Sequence, residues 1–319
     1  MERPARNGSD PFSRPLVALA LALLGLNLLA GAGLAGLASG VGPTVAGLGL
    51  VAWLLGLRHA FDADHIAAID NVTRRLRLQG HRPVAVGLFF SLGHSTVVFG
   101  MMLAVALGLS HAEGFGAWLG AWGVPASLLA SATFLTVIGA LNAASLGTLR
   151  NSAPAPRARL FDRVAHSRAM YPLGMLLGLN LDTAAEIVLL AASAAAVQGA
   201  GLPLWAALVF PLLFMAGMAA ADSAEGLLML RLYDWAVADR DRTLSLNTAT
   251  TALSALLACG IAALQWLALA QWAGWSARVP EAIAAVPSPV LGLAATALFA
   301  ALWGAARLRR TAAPVAPVS

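Results

Sequence analysis

The chain has 319 residues, of which 59% are hydrophobic and 11% are charged, and its mean hydropathy is +0.78. Soluble domains carry about 25% charged residues, so this composition excludes an ordinary soluble protein and predicts an integral membrane protein. All 20 basic residues are arginines, and all but Arg58 flank apolar segments, which indicates membrane topology and contact with anionic lipid, not nucleic-acid binding. The single cysteine, Cys259, excludes an internal disulfide and a cysteine metal cluster.

Eight apolar segments are long enough to cross a bilayer as helices, which takes about 20 residues each. All of them are predicted to be helical, because an isolated span must satisfy its own backbone hydrogen bonds. The predicted fold class is therefore all-α, a polytopic membrane protein of about eight transmembrane helices. The segments lie at about 15–38, 44–70, 83–109, 117–147, 171–196, 202–230, 246–272 and 286–306.

The arginines predict the orientation of these spans. If the spans alternate in direction, 18 arginines fall on one side of the membrane. The positive-inside rule makes this side the cytoplasm and places both termini there. The chain is predicted to have a disordered N-terminal tail (1–14), a single transmembrane domain (15–310) and a disordered C-terminal tail (311–319). Within the domain, a cytoplasmic loop (148–170) separates spans 1–4 (15–147) from spans 5–8 (171–310).

Polar side chains inside the spans are few, and they cluster in depth. An ionisable residue at mid-bilayer costs about 2.5 to 3.5 kcal/mol. Counted at 1.5 Å per residue, the imidazoles and carboxylates of four spans lie roughly 14 to 23 Å from the flanking arginines. This common depth predicts one shared site near the midplane. The polar residues of these spans are Arg58, His59, Asp62, Asp64, His65, Asp70, Asn71, Ser91, His94, Ser95, Thr96, Asn180, Asp182, Thr183, Glu186, Asp222, Ser223 and Glu225.

The chemistry of this set favours a divalent metal ion. Seven of the side chains are carboxylic acids, against one arginine, Arg58. Imidazole combined with carboxylate suits nickel, cobalt, zinc, iron or copper. The spacing H-x-x-x-x-D-H predicts His59 and His65 as metal ligands. His94 is predicted either to be a third ligand or to form a hydrogen bond between helices, and Asp62 either joins the site or neutralises Arg58.

The spacing within span 2 is incompatible with one regular helix around one ion. At 100° per residue, Asp64 lies about 100° from His65 and further from Asp62. Span 2 is therefore either locally broken, as helices of transporters are at binding sites, or Asp64 lies outside the ligand set and orients an imidazole.

Four motifs follow one another along spans 2 to 6. They are RHAFDADHIAAIDN at 58–71, FFSLGHSTVV at 89–98, LGLNLDTAAEI at 177–187 and FMAGMAAADSAEGLLM at 214–229. In this order they resemble the motifs of the NiCoT family of nickel/cobalt permeases. The resemblance implies an eight-span protein that takes up Ni²⁺, or Co²⁺ beside it. The metal-binding residues that it implies are His59, Asp62, Asp64, His65 and His94.

The two later motifs depart from the family pattern in four places. Leu181, Ala185, Ser223 and Glu225 replace the usual Phe, Thr, Thr and Asp, while every carboxylate position keeps an acid. The polar residues of the spans other than the five implied ligands are predicted to line the transport pathway or to support those ligands.

We expect secondary transport across the inner membrane, because the sequence has no Walker motif and gives no sign of an ATPase subunit. The metal ion is then a transported substrate; we expect no enzymatic activity and no catalytic cofactor. The other expected partner is membrane lipid, and the oligomeric state stays open.

Two alternatives remain. An exporter of divalent transition metals is disfavoured by the lack of a His-rich cytoplasmic loop, and an intramembrane metalloenzyme by the lack of His-Glu-x-x-His.

Overall fold

The computed structural model of the protein describes residues 13–106, 124–149, 166–178, 204–237 and 240–275, together with residues 297, 298 and 301. Within these ranges the chain is helical and contains no strand, which confirms the predicted all-α class. The helices are α1 (Ser13–Val41), α2 (Pro43–His59), α3 (Ala63–Leu78), α4 (Val86–Ala106), α5 (Val124–Leu149), α6 (Met170–Gly178), α7 (Leu204–Ala207), α8 (Val209–Val237) and α9 (Arg240–Trp272), with a 3₁₀ turn at Ser167–Ala169 before α6.

Five of the described helices are long and apolar enough to cross a membrane, and a sixth span results if α2 and α3 are counted together. The five are α1, α4, α5, α8 and α9, which confirms predicted spans 1, 3, 4, 6 and 7 as helices. Most of spans 5 and 8, most of the loop between spans 4 and 5, and nearly all of both tails lie outside the described residues. The total of eight spans and the side of the termini therefore stay predictions.

The second span is broken in its middle. Helix α2 ends at His59, α3 begins at Ala63, and the two axes differ in direction by 55°. The backbone of Asp62 is extended, with φ −71° and ψ 145°, and its N–H bonds to the carbonyl of His59 at 3.0 Å, which closes a tight turn. Of the two alternatives for this span, the structure has the broken helix.

Helix α8 is the central element of the described part, and it packs against α1, α2, α3, α4 and α9. Its backbone comes very close to two neighbours at glycines. A Cβ atom on Gly56 of α2 would lie 2.0 Å from the carbonyl oxygen of Phe214, and one on Gly87 of α4 would lie 2.1 Å from that of Asp222. Small residues allow such close approach between membrane helices, and here they bring α2 and α4 against α8 beside its polar residues.

The outer surface of α1 is apolar. Five of its side chains are between 55% and 63% exposed: Val17, Leu21, Leu24, Leu28 and Leu29. An exposed apolar face of this kind is what a helix presents to lipid. The polar side chains lie instead in the interior, among α2, α3, α4 and α8.

Candidate metal centre

Three histidines from distant parts of the sequence meet at the break in the second span. His59 ends α2, His65 lies in the first turn of α3, and His94 lies in the middle of α4. Their exposures are only 3%, 0% and 1%, and their ring centroids are 4.8 to 4.9 Å apart. One ring nitrogen of each lies within 4.8 Å of the others, so the group is compact enough to hold one metal ion.

A carboxylate lies against the Nδ1 atom of two of these rings. Nδ1 of His59 is 3.0 Å from Oδ2 of Asp62, and Nδ1 of His65 is 3.2 Å from Oδ1 of Asp222. A neutral imidazole that donates its Nδ1 proton to a carboxylate has its lone pair on Nε2. Metal-binding histidines are commonly oriented in this way by an acid that does not itself touch the ion.

The Nε2 atoms of His59 and His94 face each other at 3.0 Å. One of these two nitrogens donates and the other accepts, so the two rings are directed at the same point. An ion bonded to both nitrogens at about 2.0–2.1 Å would separate them by about 2.8–3.4 Å for bond angles of about 90–109°. The two rings therefore already have nearly the spacing of two ligands on one ion.

The third imidazole lacks a partner on its inner side. In the described part of the chain, Nε2 of His65 has no hydrogen-bond partner. Phe90 stands edge-on to this ring at 4.7 Å, and Phe214 lies 5.5 Å from the ring of His59. Both phenylalanines are fully buried. A buried polar atom without a partner is unfavourable by about 1–3 kcal/mol, so this nitrogen is suited to bind a ligand.

Asp222 is itself fixed from a second side. Its Oδ2 atom accepts a hydrogen bond of 2.6 Å from the hydroxyl of Ser91, and Asp222 and Ser91 are both 0% exposed. Ser91 lies on α4, one turn before His94. A chain of contacts thus runs from α4 through Asp222 on α8 to His65 on α3.

The other predicted residues of the second span lie in different surroundings. Asp64 is buried, and its Oδ1 atom accepts a hydrogen bond of 3.1 Å from the backbone N–H of His65. Asp62 contacts His59, and the side chain of Arg58 is exposed. Asp70 and Asn71 lie further along α3, in a separate cluster around Arg74.

The predicted pathway residues of the later spans are placed as follows. Ser95, Ser223 and Glu225 are buried. Thr96 is exposed, and its hydroxyl forms a 2.7 Å hydrogen bond with the hydroxyl of Tyr171. Four further predicted residues lie outside the described part of the chain: Asn180, Asp182, Thr183 and Glu186.

The separate cluster is an ion pair between Asp70 and Arg74, with an Oδ2–Nη2 distance of 3.1 Å. Asp70 is 0% exposed and Arg74 is 1% exposed. Arg74 follows predicted span 2, which ends at about residue 70, and was therefore predicted to lie in a cytoplasmic loop; this is wrong. Helix α3 continues to Leu78, so Arg74 lies inside the protein and not in the loop.

Most residues of this cluster were not predicted from the sequence. Tyr233 and Ser254 both donate to the Asp70 carboxylate, and Thr250 and Thr251 both accept from Arg74. The one available signal was the threonine pair in span 7, which is polar without being part of a recognised motif. Phe90 and Phe214 belong to two of the four motifs, but nothing in the sequence predicts that they pack against the imidazoles, because apolar residues fill every span.

Comparison with known proteins gives the family. The chain matches the family described as high-affinity nickel-transport protein over residues 45–157 and 152–308. It is 40% identical to the cobalt transport protein NhlF of Rhodococcus rhodochrous, over 83% of this chain and 82% of that protein. It is 39% identical to the nickel transporter NicT of Mycobacterium tuberculosis, over 82% of this chain and 78% of that protein.

A third relative is the high-affinity nickel transport protein of Cupriavidus necator, which is 40% identical over 71% of each chain. No solved structure matches the chain. The family matches cover most of the sequence and include all three imidazoles of the centre. The chain therefore belongs to the high-affinity nickel-transport protein family.

Proposed function

We propose that the protein is a secondary transporter that imports Ni²⁺, with Co²⁺ as a second substrate, through a centre formed by His59, His65 and His94. The observation that carries this proposal is the convergence of three buried imidazoles, two of which have a carboxylate oxygen within 3.2 Å of Nδ1. Relatives that are named nickel or cobalt transporters support the same substrates for this chain.

The donor atoms explain why a transition metal is favoured over the abundant divalent ions. Ca²⁺ and Mg²⁺ bind through oxygen ligands, and Mg²⁺ keeps several of its waters. Three imidazole nitrogens instead suit nickel, cobalt, copper or zinc. A Ca²⁺ or Mg²⁺ ion that entered this centre would lose its waters and gain no matching set of oxygen atoms.

The carboxylates have a supporting role in this proposal. Asp222 orients His65 through a hydrogen bond at Nδ1, and the negative charge of Asp62 lies 3.0 Å from Nδ1 of His59. Asp64 lies in the first turn of α3, where its charge offsets the positive end of the helix dipole, which would otherwise repel a cation. The end of α2 at His59 carries the negative end of a dipole, which attracts one.

The predicted pathway residues complete the route of the ion. Ser95, Ser223 and Glu225 are buried on the two helices that carry His94 and Asp222. Their oxygen atoms can replace part of the water shell while the ion moves to or from the imidazoles. Asp182 and Glu186 are proposed for the same role in span 5.

The membrane potential can drive import without ATP. An inside-negative potential acts on a divalent cation with about 4.6 kcal/mol per 100 mV, twice the value for a single charge. This favours accumulation by about 10³-fold, since every 1.4 kcal/mol corresponds to a factor of ten. We therefore propose uptake by this chain in the inner membrane, in contact with lipid and without an ATPase subunit.

The test measures cellular metal content by mass spectrometry in cells that express the wild-type protein or His65→Ala. Separate cultures receive nanomolar Ni²⁺, Co²⁺ or Zn²⁺, and protein levels in the membrane are matched. We expect wild-type cells to accumulate nickel and cobalt above an empty-vector control, and His65→Ala cells to match that control.

The matched control is His81→Ala, because His81 is an exposed histidine in the turn after α3. This variant should accumulate metal as the wild type does. Metal content below the empty-vector level would reverse the direction and support the exporter. Equal content in all strains for all three metals would overturn the transport proposal.

A further inference from the structure

The ion pair of Asp70 and Arg74 lies between the imidazole centre and the C-terminal end of α3, which the arginine pattern predicts to be cytoplasmic. Asp70 follows His65 by five residues, which is about 7.5 Å along a helix. We propose that this pair and its partners Tyr233 and Ser254 form the cytoplasmic gate of the transport pathway. The gate is closed in this structure, where every residue from 65 to 74 is buried.

The contacts of the gate tie α3 to two other helices. Asp70 accepts hydrogen bonds from the hydroxyl of Tyr233 on α8 and from that of Ser254 on α9, the latter at 2.9 Å. Arg74 donates to the hydroxyl of Thr251 on α9 at 2.6 Å and to the side-chain oxygen of Asn71 at 2.8 Å. These contacts close α3 against α8 and α9 on its cytoplasmic side.

The charges of the gate cancel, which distinguishes it from the metal centre. One carboxylate faces one guanidinium, and the remaining partners are hydroxyl and amide groups. A cation gains nothing from binding to a carboxylate that an arginine already neutralises. The cluster is therefore not a second ion site, and it opposes passage only as long as it stays assembled.

The free energy of a buried ion pair suits a contact that opens and closes better than a permanent structural contact. A buried ion pair loses the hydration of both charges, and apolar replacements of similar volume are often as stable or more stable. Packing alone could hold α3 in place more simply. A polar cluster can instead form in one conformation and be replaced by water in another, which is the property that a gate needs.

The position of α3 in the broken span allows it to move separately. Its N-terminus follows the extended residue Asp62, whereas α2 is held tightly against α8 through Gly56 and Gly217, each of which lies against a backbone carbonyl of the other helix. A hinge at the break would let α3 swing from α9 while α2 stays fixed. His65 would move with α3, so the same motion would release the ion from the imidazoles and open its exit.

The test uses cysteine accessibility from the cytoplasmic face. The native Cys259 is first replaced by serine, and Ala67→Cys, a buried position one turn before Asn71, serves as the reporter. Inside-out vesicles are treated with a membrane-impermeant maleimide. Tyr233→Phe removes one hydroxyl from the gate and keeps the ring. We expect it to raise the labelling rate about tenfold, as the loss of a hydrogen bond to a charged group predicts.

The chain offers a matched control and a second variant. Tyr171 is the other tyrosine of the sequence, and its hydroxyl bonds to Thr96, away from α3. Tyr171→Phe should leave labelling unchanged, and Ser254→Ala should raise it as Tyr233→Phe does. Wild-type rates in both gate variants, or an equal rise in the Tyr171→Phe control, would overturn the gate.

The inference rests on the proposed import, and the labelling separates the two. Nickel uptake is measured in intact cells that express the same proteins, since import would appear as release from inside-out vesicles. Uptake with unchanged labelling in the gate variants contradicts the gate and leaves import standing. Faster labelling without any uptake supports a gate in a protein with a different substrate.

Discussion

At the scale of single residues, the nitrogen that faces each carboxylate decides how the centre can bind metal. Asp222 contacts Nδ1 of His65 and accepts a hydrogen bond from the hydroxyl of Ser91. It therefore fixes the orientation of the His65 ring and leaves the lone pair of that ring on Nε2. Replacing this carboxylate by an amide keeps the shape but removes the charge that favours the Nδ1 proton. The imidazole would then present either nitrogen to the ion.

Asp222→Asn should therefore raise the KM for nickel uptake about 10- to 100-fold, the usual loss when such a supporting acid is removed. Ser91→Ala should raise it in the same direction by less, because the carboxylate remains. The measurement is initial uptake of ⁶³Ni²⁺ against concentration. His81→Ala, a change of the exposed histidine after α3, serves as the control. Equal KM values for Asp222→Asn and the control would contradict the role of Asp222.

The residue set was predictable from the sequence, but the contacts within it were not. His59, His65 and His94 could be assigned to one site from their similar depth in the membrane, because ionisable residues in a bilayer are rare. Asp222 and His65 are separated by 157 positions, and their contact depends on how α3 and α8 pack. No periodicity within one helix carries that information.

At the scale of elements, the centre depends on the break in span 2 and on close helix packing. The stretch at the break, residues 60–62, contains neither proline nor glycine. The sequence therefore indicated a break only through the incompatible directions of its metal-binding residues. Close packing is the second requirement, since Gly87 of α4 lies against the backbone of Asp222.

Gly87→Ala should separate α4 from α8 and weaken uptake. Its new Cβ atom would lie 2.1 Å from a backbone carbonyl oxygen that cannot rotate away. Overpacking of this kind costs about 1–3 kcal/mol, and the shift would move Ser91 away from Asp222. Gly100→Ala on the same helix is the control, because nothing lies within 4 Å of its added atom. Uptake that is equal in the two variants, at equal membrane levels, would show that this close approach is dispensable.

At the scale of the whole molecule, the described helices enclose buried polar side chains and expose apolar ones. The composition and the arginine pattern were sufficient to predict a helical membrane protein. The same pattern led to the wrong prediction for Arg74. An arginine near the end of an apolar segment is assigned to a loop, whether or not the fold buries it. Burial of an arginine requires partners such as Asp70, and those are visible only when the helices are assembled.

Import of a divalent ion without a counter-ion moves two positive charges across the membrane, so uptake should depend on the membrane potential. In proteoliposomes with a potassium diffusion potential, an inside-negative voltage should raise nickel accumulation, by up to about 10³-fold per 100 mV at equilibrium. An inside-positive voltage should suppress it. Accumulation that is indifferent to the voltage would indicate electroneutral exchange and contradict potential-driven import.

The most direct test of the imidazole centre is nickel-edge X-ray absorption of the purified full-length protein with one equivalent of Ni²⁺. The account predicts nitrogen ligands with the outer-shell scattering of three imidazoles. In His94→Ala, the fit should require two. A spectrum with oxygen ligands and no imidazole scattering would contradict the metal centre at its core.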